Sequence, residues 1–435
     1  MAKFCCPSIQ RIPDKTPPCQ CKEYPIKKHK IESHLFKMKK PSPRYFIIVF
    51  LFSLFLPYAC QHRPSDSIDL TREIPMSVFD LYSRVETIQL ETPPDALIGS
   101  IRKIEYYDGF YYIIDVVTQQ IFCFDKDGSF IFKIDDQGKG PGEYNYISDF
   151  AIDRHNNRMI VLEPPLGRVL IFDLKGNHIS TRRIDTGKVM GFNKVFPIND
   201  SILLITSITY EQLVFYCLEE DKVIHTDFEI PVPGSLLPVG SQYYVYQFNG
   251  GTYALKALSR EVYDISEVEP VPYFTWCFGE NNNSDGQIDR LIDEKTQKAR
   301  EGGFTWRGEL VGSGKILTKY IWKLFENSRF RFALLEYDND FRHVVIDKES
   351  DETYVFSNFT EGISLAYNNS IQADRVIAYE TGTPERLQSN RGEEFAHRRL
   401  DHFTMDILPE EDRKIVENHD EMYENPFLVV YFFKE

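Results

Sequence analysis

A pattern of short hairpins occurs twice in the chain at a fixed spacing, and it limits the possible folds. The two copies span residues 104–134 and 150–179. Asp125 and Asp173 are 48 residues apart, and the same 48 residues separate Gly128 and Gly176. An Asp-Gly pair between apolar runs is a strong hairpin signal, because tight hairpin turns need positive φ. Each copy is therefore predicted to contain four short antiparallel strands, with turns at Asp108-Gly109, Asp127-Gly128 and Gly176.

Four strands in each repeat of about 40–50 residues are typical of a β-propeller blade. Further strand-like blocks lie at about 193–228, 242–278 and 329–356, and a sixth has strands at 363–367 and 375–379. Helical patterns interrupt them at 285–300, 387–402 and 410–418. We expect segments 85–90 and 427–433 to pair and close the ring. The predicted fold is all-β, a six-bladed β-propeller with short helical insertions. A seven-bladed propeller is the alternative.

The charge of the chain is unevenly distributed. Residues 1–59 contain 11 basic and 3 acidic side chains, whereas residues 60–435 contain 39 basic and 62 acidic ones. A strongly acidic globular part repels phosphates and offers no basic stripe for DNA or RNA. Nucleic acid is therefore not an expected partner.

The N-terminal region has the pattern of an export signal. A basic stretch from Met38 to Arg44 precedes 12 uncharged apolar residues, Tyr45–Leu56, which is short for a membrane span but suits a signal peptide. The following Leu56-Pro-Tyr-Ala-Cys60 resembles a bacterial lipobox, so Cys60 is the predicted lipid attachment site. A plain signal peptide cleaved after Ala59 is the alternative.

These patterns divide the chain into four parts. We expect residues 1–37 to be a start-site artefact, 38–59 a signal peptide, 60–84 a lipidated tether and 85–435 the propeller. Lipidation would place the protein in the cell envelope as an outer-membrane lipoprotein, facing the periplasm or the cell surface, with the membrane as one partner. Cys123 and Cys217 lie in strand-like runs and are predicted to be buried free thiols.

Four segments carry a family resemblance: residues 98–115, 124–128, 138–144 and 424–431. They resemble the six-bladed β-propeller lipoproteins of Bacteroides and its relatives, which are related to the NHL-repeat propellers. The likeness extends over about residues 60–435. It implies a propeller fold and a location in the cell envelope, and it implies no catalytic residues.

Several motifs that could carry chemistry are better explained by structure. Pro141 in the run Gly138-Lys-Gly140-Pro-Gly142 fits neither a Walker loop nor a Rossmann turn, so the three glycines are assigned to a connector between blades. The segment 125–128 lacks the distal Glu of a calcium loop and is assigned to a turn. Residues 397–402 are interpreted as a solvated, charged helix.

Two sets of side chains remain as candidates for a site. Acidic residues that flank inner strands could form a metal ring in the channel: Asp115, Asp153 and Glu163. Aromatic residues that could form a binding platform are Tyr106, Tyr107, Tyr111, Tyr112, Tyr144, Tyr146 and Trp306, although most are expected in the core.

The favoured function is a binding or scaffold module for a glycan, a peptide or an envelope protein. A metal-dependent propeller enzyme, similar to a lactonase or a lyase, is the alternative. No catalytic, cofactor-binding or metal-binding residue is assigned from the sequence, and no cofactor is predicted.

Overall fold

The computed structural model describes residues 67–435 with internal gaps. The gaps are residues 186–190, 208–210, 230–243, 257–258, 283–292, 294–296, 298–320, 338–339, 366–368, 380–401 and 421–422. All described residues fall in the unit formed by residues 62–435.

The described strands form six antiparallel sheets of four strands each. Blade one contains β2 (Ile101–Tyr107), β3 (Phe110–Asp115), β4 (Gln120–Asp125) and β5 (Phe130–Ile134). Blade two contains β6 (Asp149–Asp153), β7 (Arg158–Glu163), β8 (Arg168–Asp173) and β9 (His178–Arg183). Blade three contains β10 (Phe192–Pro197), β11 (Ile202–Ser207), β12 (Glu211–Cys217) and β13 (Lys222–Glu229). Blade four contains β14 (Val245–Phe248), β15 (Gly251–Leu255), β16 (Glu261–Asp264) and β17 (Val271–Thr275).

The remaining strands form blades five and six. Blade five contains β18 (Ile321–Glu326), β19 (Phe330–Tyr337), β20 (Asp340–Asp347) and β21 (Glu352–Phe356). Blade six contains β22 (Asn369–Ile371), β23 (Arg375–Tyr379), β24 (Phe427–Phe433) and β1 (Tyr82–Gln89), in that spatial order. The predicted all-β, six-bladed propeller is confirmed, and the seven-bladed alternative is wrong.

Strands from the two ends of the chain complete blade six. β1 pairs antiparallel with β24, in a register that places Val85 opposite Tyr431 and Ile88 opposite Leu428. The predicted pairing of the two ends is therefore confirmed, although β1 begins three residues earlier than expected, at Tyr82. β24 is apolar throughout because it lies between β1 and β23 and its first five residues are buried.

The core consists of apolar clusters, several of which lie between neighbouring blades. In one of them, Tyr112 and Cys123 of blade one pack with Ile152 and Met159 of blade two. Cys123 and Cys217 are buried free thiols, as predicted. Burial raises the pKa of the Cys123 thiol to about 12, which keeps it protonated and unreactive at neutral pH.

The hairpin turns adopt the backbone conformations that their sequences favour. Asp108 and Gly109 join β2 to β3 with φ values of 49° and 84°. Gly128 and Gly176, the repeated turn glycines, have nearly equal φ values of 87° and 85°.

The glycine-rich connector lies between blades one and two. Gly138 donates its N–H to the Tyr144 carbonyl, and Gly140 donates to Oε2 of Glu143 at 2.6 Å. Gly142 has a φ of 83°. The loop thus satisfies its backbone groups internally.

Helices are few among the described residues. They are α1 (Val78–Leu81), α2 (Glu410–Asn418) and the 3-10 turns Pro164–Leu166, Gly279–Asn281 and Met405–Ile407. α2 matches the helix predicted at 410–418. The helices predicted at 285–300 and 387–402 lie outside the described residues, apart from positions 293, 297 and 402. No described helix is long and apolar enough to cross a membrane.

The inner strands of the last two blades differ from the sequence interpretation. The innermost strand of blade six is β22 at residues 369–371. Of the strand predicted at 363–367, residues 363–365 are not in a strand, so that part of the prediction is wrong, and residues 366–367 lie outside the described residues. Ile363 and Leu365 belong to a buried apolar cluster, so their hydrophobic character reflects core packing rather than strand pairing. The innermost strand of blade five, β18, lies before the predicted start of that block at residue 329.

Part of the predicted tether is packed against the propeller. The Ile68 N–H bonds to the Cys277 carbonyl after blade four, and the Ile74 N–H bonds to the Val355 carbonyl in blade five. Leu70 is fully buried. Residues 67–81 therefore cross three blades before β1 begins.

Candidate functional site

The innermost strands of all six blades line one cavity of about 210 Å³. These strands are β2, β6, β10, β14, β18 and β22. Their mutual contacts include those of β2 with β6 and β22, of β6 with β10, and of β14 with β18. The cavity therefore occupies the central channel, the one place where side chains from every blade meet.

Side chains on the inner strands connect neighbouring blades by hydrogen bonds. Blades one and two are linked by the Ile152 N–H, which donates to Oε2 of Glu105 at 3.2 Å. Blades six and one are linked by the Ile104 N–H, which donates to Oγ of Ser370 at 3.1 Å. Gln372 reinforces this second link through the backbone of Tyr106.

Side-chain hydrogen bonds also link blade three to blade four and blade four to blade five. Between blades three and four, Nε2 of Gln247 donates to the Pro197 carbonyl at 2.7 Å. Between blades four and five, the Tyr246 hydroxyl donates to Oε2 of Glu326 at 3.1 Å. The polar channel lining thus holds the ring together as well as lining a cavity.

Two lysines from different blades share one carboxylate in the channel. Nζ of Lys103 lies 3.2 Å from Oδ1 of Asp149, and Nζ of Lys194 lies 3.3 Å from the same oxygen. Lys103 also contacts Oε1 of Glu105 at 2.8 Å. Asp149 is fully buried, and its Oδ2 accepts the Val195 N–H at 3.1 Å.

A third lysine comes from the inner strand of blade five. Nζ of Lys323, on β18, donates to Oδ1 of Asn369, on β22, at 2.8 Å. Nδ2 of Asn369 donates to the Leu365 carbonyl at 2.6 Å, which orients the amide oxygen toward the ammonium. Lys194 and Lys323 are 6% and 5% exposed, so both charges are held away from bulk water.

Arginines lie near the exposed part of the cavity. Arg154, which follows the end of β6, lines the cavity and is exposed, as are Gln247 and Ala373. Arg102 also lines the cavity and donates to the Tyr146 hydroxyl at 3.2 Å. The cavity therefore has buried ammonium groups at depth and an exposed guanidinium where it meets solvent.

The channel is basic although the protein is acidic. The described cavity-lining residues include five cations, Arg102, Lys103, Arg154, Lys194 and Lys323, and one carboxylate, Glu105. Asp149 supplies a second carboxylate beside them. The whole chain has a formal net charge of −15. This local excess of positive charge is the most distinctive chemical property of the channel.

The pKa values of the three lysines differ because their neighbours differ. Burial opposes the charge of Lys103, but the carboxylates of Asp149 and Glu105 outweigh that effect, and its pKa is raised. Burial lowers the pKa of Lys194, with partial compensation from Asp149. Burial lowers the pKa of Lys323 to about 7, so this amine changes its charge near neutral pH.

The structure does not bring the three predicted acidic residues together. Asp115 accepts hydrogen bonds from the backbone of Gly99 and Ser100, 16 and 15 residues away. Asp153 pairs with Arg158 at 2.7 Å, and Glu163 pairs with Arg168. Each carboxylate satisfies local groups, and none of the three lines the channel cavity.

The predicted aromatic platform is largely core. Tyr111, Tyr112 and Tyr144 are buried, whereas Tyr106, Tyr107 and Tyr146 are partly exposed. Trp306 lies outside the described residues. The aromatic side chains that do line the cavity are Phe196, Tyr246 and Phe325, none of which the sequence interpretation selected.

The described residues contain no group of three or more His, Cys, Asp or Glu side chains that could hold a metal ion. His402 is the one member of the charged segment 397–402 that the structure describes, and it is partly buried. The lysines of the channel would also repel a divalent cation placed there. The described channel residues therefore do not fit a central metal.

Comparison with solved structures places the fold among proteins of Bacteroides. The chain is 18% identical to a Bacteroides fragilis protein described as a "putative exported protein", with a TM-score of 0.60, 81% of this chain and 96% of the other being covered. It is 12% identical to a member of the duf4221 family from Bacteroides vulgatus, with a TM-score of 0.44 and 81% and 98% coverage. At 18% identity and a TM-score of 0.60, the likeness to the Bacteroides fragilis protein concerns the fold alone, and the second likeness carries no argument.

The sequence itself gives the family. No curated protein matches the chain significantly. A family model matches residues 65–432, which is nearly the whole propeller and the segment that precedes it. The chain therefore belongs to the family named Domain of unknown function (DUF4934).

Proposed function

We propose that this protein is a binding module of the cell envelope that holds its ligand at the central channel. The observation that supports this proposal is the convergence of polar side chains from all six blades on one cavity. Ligand sites are typically concave and combine apolar walls with a few well-placed polar groups. Phe196 and Phe325 supply apolar wall here, and Lys194, Lys323 and Gln247 supply polar groups.

The location is part of the same proposal. The signal-peptide pattern and the lipobox-like Leu56–Cys60 support export and a lipid anchor on Cys60, with the propeller held at the outer membrane. The ligand would then be a component of the envelope or its surroundings: a glycan, a peptide or another envelope protein.

An enzyme of the metal-dependent propeller type has weaker support. Such an enzyme needs several oxygen or imidazole ligands at one point. Among the described residues, those that line the cavity offer lysines and arginines instead, and Glu105 is the one carboxylate. Binding is therefore the function that the channel supports best.

A variant that blocks the channel mouth tests the proposal. Ala373 lines the cavity and is exposed, so Ala373→Trp narrows the entrance without disturbing the core. Leu166→Trp places the same side chain on an exposed turn outside the cavity and serves as the matched control. Wild type and both variants would be applied to glycan and peptide arrays.

We expect the Leu166→Trp variant to keep the binding of the wild type and the Ala373→Trp variant to lose it. Equal binding by the Ala373→Trp variant would overturn the channel as the ligand site. Metal analysis of the protein as purified complements the arrays, since a stoichiometric, tightly held metal would support the enzyme alternative.

A further inference from the structure

We propose that the channel binds a compact oxyanion (a carboxylate, phosphate or sulfate group of the ligand) between the ammonium groups of Lys194 and Lys323. This inference rests on the proposed function and deepens it by naming the chemical class of the group that is bound. It follows from the charges of the channel, their burial and the size of the cavity.

Cations outnumber carboxylates among the described residues at the channel. Lys103 and Lys194 share Asp149, and Glu105 contacts Lys103 alone among the three lysines. Lys323 donates a hydrogen bond to the neutral amide of Asn369. Charges held away from water are unfavourable unless opposite charge compensates them. An anion in the channel would add negative charge to a cavity whose described lining residues include five cations and Glu105, with Asp149 beside them.

The two lysines come from different places around the ring. Lys194 comes from blade three and Lys323 from blade five, and blade four lies between them. Both side chains line the same cavity. Gln247 of blade four also lines it and adds an amide to this side of the channel. A ligand group in the cavity would thus meet lysine side chains from two different blades.

The cavity has room for an anion and is open to solvent at one end. The cavity of about 210 Å³ is far larger than the ~10–15 Å³ that one water molecule needs by the same kind of measure. Arg154 at the exposed part of the cavity would attract an anion toward the entrance. The remainder of the molecule is acidic, so an anionic ligand would be repelled elsewhere and drawn to this channel.

Lys323 has a lower pKa than an ordinary lysine. Burial holds it at about 7, so the amine is only partly protonated at neutral pH. A bound anion would favour the protonated amine. Anion binding and proton uptake at Lys323 are therefore expected to occur together.

Titration calorimetry with simple anions tests the inference. The probes are inorganic phosphate, sulfate and glucuronate, with glucose as the uncharged counterpart of glucuronate, at about pH 6 where Lys323 is protonated. Lys323→Met keeps most of the side-chain volume and removes the charge. Lys126→Met is the control, because Lys126 is exposed and pairs with its neighbour Asp127.

We expect at least one anion to bind the wild type and the Lys126→Met variant equally, and glucose not to bind. The Lys323→Met variant should bind that anion about tenfold more weakly or worse, the effect of losing one hydrogen bond to a charged group. Without ligand, the same variant should be at least as stable as the wild type. The preferred anion would distinguish a phosphate or sulfate ligand from a carboxylate sugar.

Anion binding that is unchanged in the Lys323→Met variant would overturn the inference. A second outcome separates the inference from the proposed function. If no anion binds, but the Ala373→Trp variant still loses binding on the glycan and peptide arrays, the inference fails and the proposed function stands. If the Lys323→Met variant does not fold, acylation of wild-type lysines replaces it. Phosphate should then protect Lys323 from the reagent, and unchanged labelling of Lys323 would overturn the inference.

Discussion

Lys194 and Asp149 form a buried ion pair between blades three and two, with 3.3 Å between Nζ and Oδ1. Asp149 also contacts Lys103, so its single charge supports two ammonium groups. The carboxylate therefore joins three chain segments, since its other oxygen accepts the Val195 N–H. Its loss would leave two partly or fully buried cations facing each other.

Asp149→Asn is expected to destabilise the protein by about 3–5 kcal/mol, because breaking a buried pair leaves its partner's charge uncompensated. Denaturant unfolding monitored by fluorescence measures the change. Asp127→Asn is the matched control, since its ion pair with Lys126 is exposed to solvent and its loss should leave the stability almost unchanged. Adding Lys194→Met to Asp149→Asn should restore part of the loss. An Asp149→Asn variant as stable as the control would contradict this account of the channel.

Anion affinity should depend on pH through Lys323. The other charged groups among the described residues that line the same cavity are Arg102, Lys103, Arg154, Lys194 and Glu105. His343 lies close enough to Lys323 for that charge to affect its pKa. Burial and the nearby Lys323 lower the pKa of His343 to about 3, so it stays neutral above mildly acidic pH. As the pH rises through about 7, Lys323 loses its proton and the anion loses one counter-charge.

Calorimetry with phosphate or glucuronate at about pH 6 and about pH 8.5 would measure the effect, and affinity should fall about tenfold or more. Glucuronate is the sharper probe, because its carboxylate does not change charge over this range. In the Lys323→Met variant, the remaining glucuronate affinity should be nearly independent of pH. A wild-type affinity that rises with pH would contradict the role given to Lys323.

His343 is a buried side chain whose polarity has no evident use in the fold. Its ring stacks on Phe356 at 4.9 Å with an interplanar angle of 13°. Within the described part of the chain, neither ring nitrogen has a hydrogen-bond partner. His343→Phe should therefore raise the free energy of unfolding by about 1–2 kcal/mol near pH 7.

The same substitution should change the acid side of the stability profile. Between an ordinary histidine pKa of ~6.5 and the folded value of about 3, the unfolded chain binds a proton that the folded protein does not. Wild-type stability is therefore lost as the pH falls through this window. The stability difference between the His343→Phe variant and the wild type should widen on acidification. A constant difference from pH 7 downward would argue against a buried neutral histidine.

The blades could be predicted because their turns are encoded locally. Asp108-Gly109 and Gly128 need positive φ, and strands of β-branched and aromatic residues flank them. The weakest predictions concern strands whose patterns carry mixed signals. β18 was missed because Lys323 and Glu326 interrupt its apolar residues, and both are buried against partners from other blades.

The candidate site could not be predicted from the sequence for a related reason. Lys103, Lys194 and Lys323 are separated by 91 and 129 residues and share no local motif. A lysine next to apolar residues in a strand-like segment is the one available signal, and all three lie on inner strands. They line one cavity because the ring of blades brings the inner strands of blades one, three and five together, which no local sequence pattern encodes.

The proposed lipid anchor on Cys60 can be tested in cells. Metabolic labelling with an alkyne fatty acid should mark the wild-type protein and leave the Cys60→Ser variant unlabelled, because only the cysteine thiol accepts the diacylglycerol. Cys277→Ser removes a partly exposed free thiol from the propeller and should keep the label. Label that persists in the Cys60→Ser variant would show attachment at another residue.

Two turn glycines allow strain and steric clash to be separated. Gly109 and Gly128 have similar φ values of 84° and 87°, so an alanine at either position adopts an unfavourable backbone conformation. A Cβ at Gly109 would meet nothing within 4 Å, whereas a Cβ at Gly128 would lie 2.0 Å from the carbonyl oxygen of Gln89. Gln89 ends β1, and the neighbouring Glu91 N–H bonds to the Gly128 carbonyl at 2.8 Å.

Gly109→Ala should therefore cost about 1–2 kcal/mol, the cost of the left-handed conformation alone. Gly128→Ala should cost clearly more, because the turn must also move away from the strand that closes the ring. Limited proteolysis separates the two effects. Cleavage near residues 82–91 should increase in the Gly128→Ala variant and stay at the wild-type level in the Gly109→Ala variant. Equal destabilisation and equal cleavage would mean that the contact between blade one and the closing strand contributes little to ring closure.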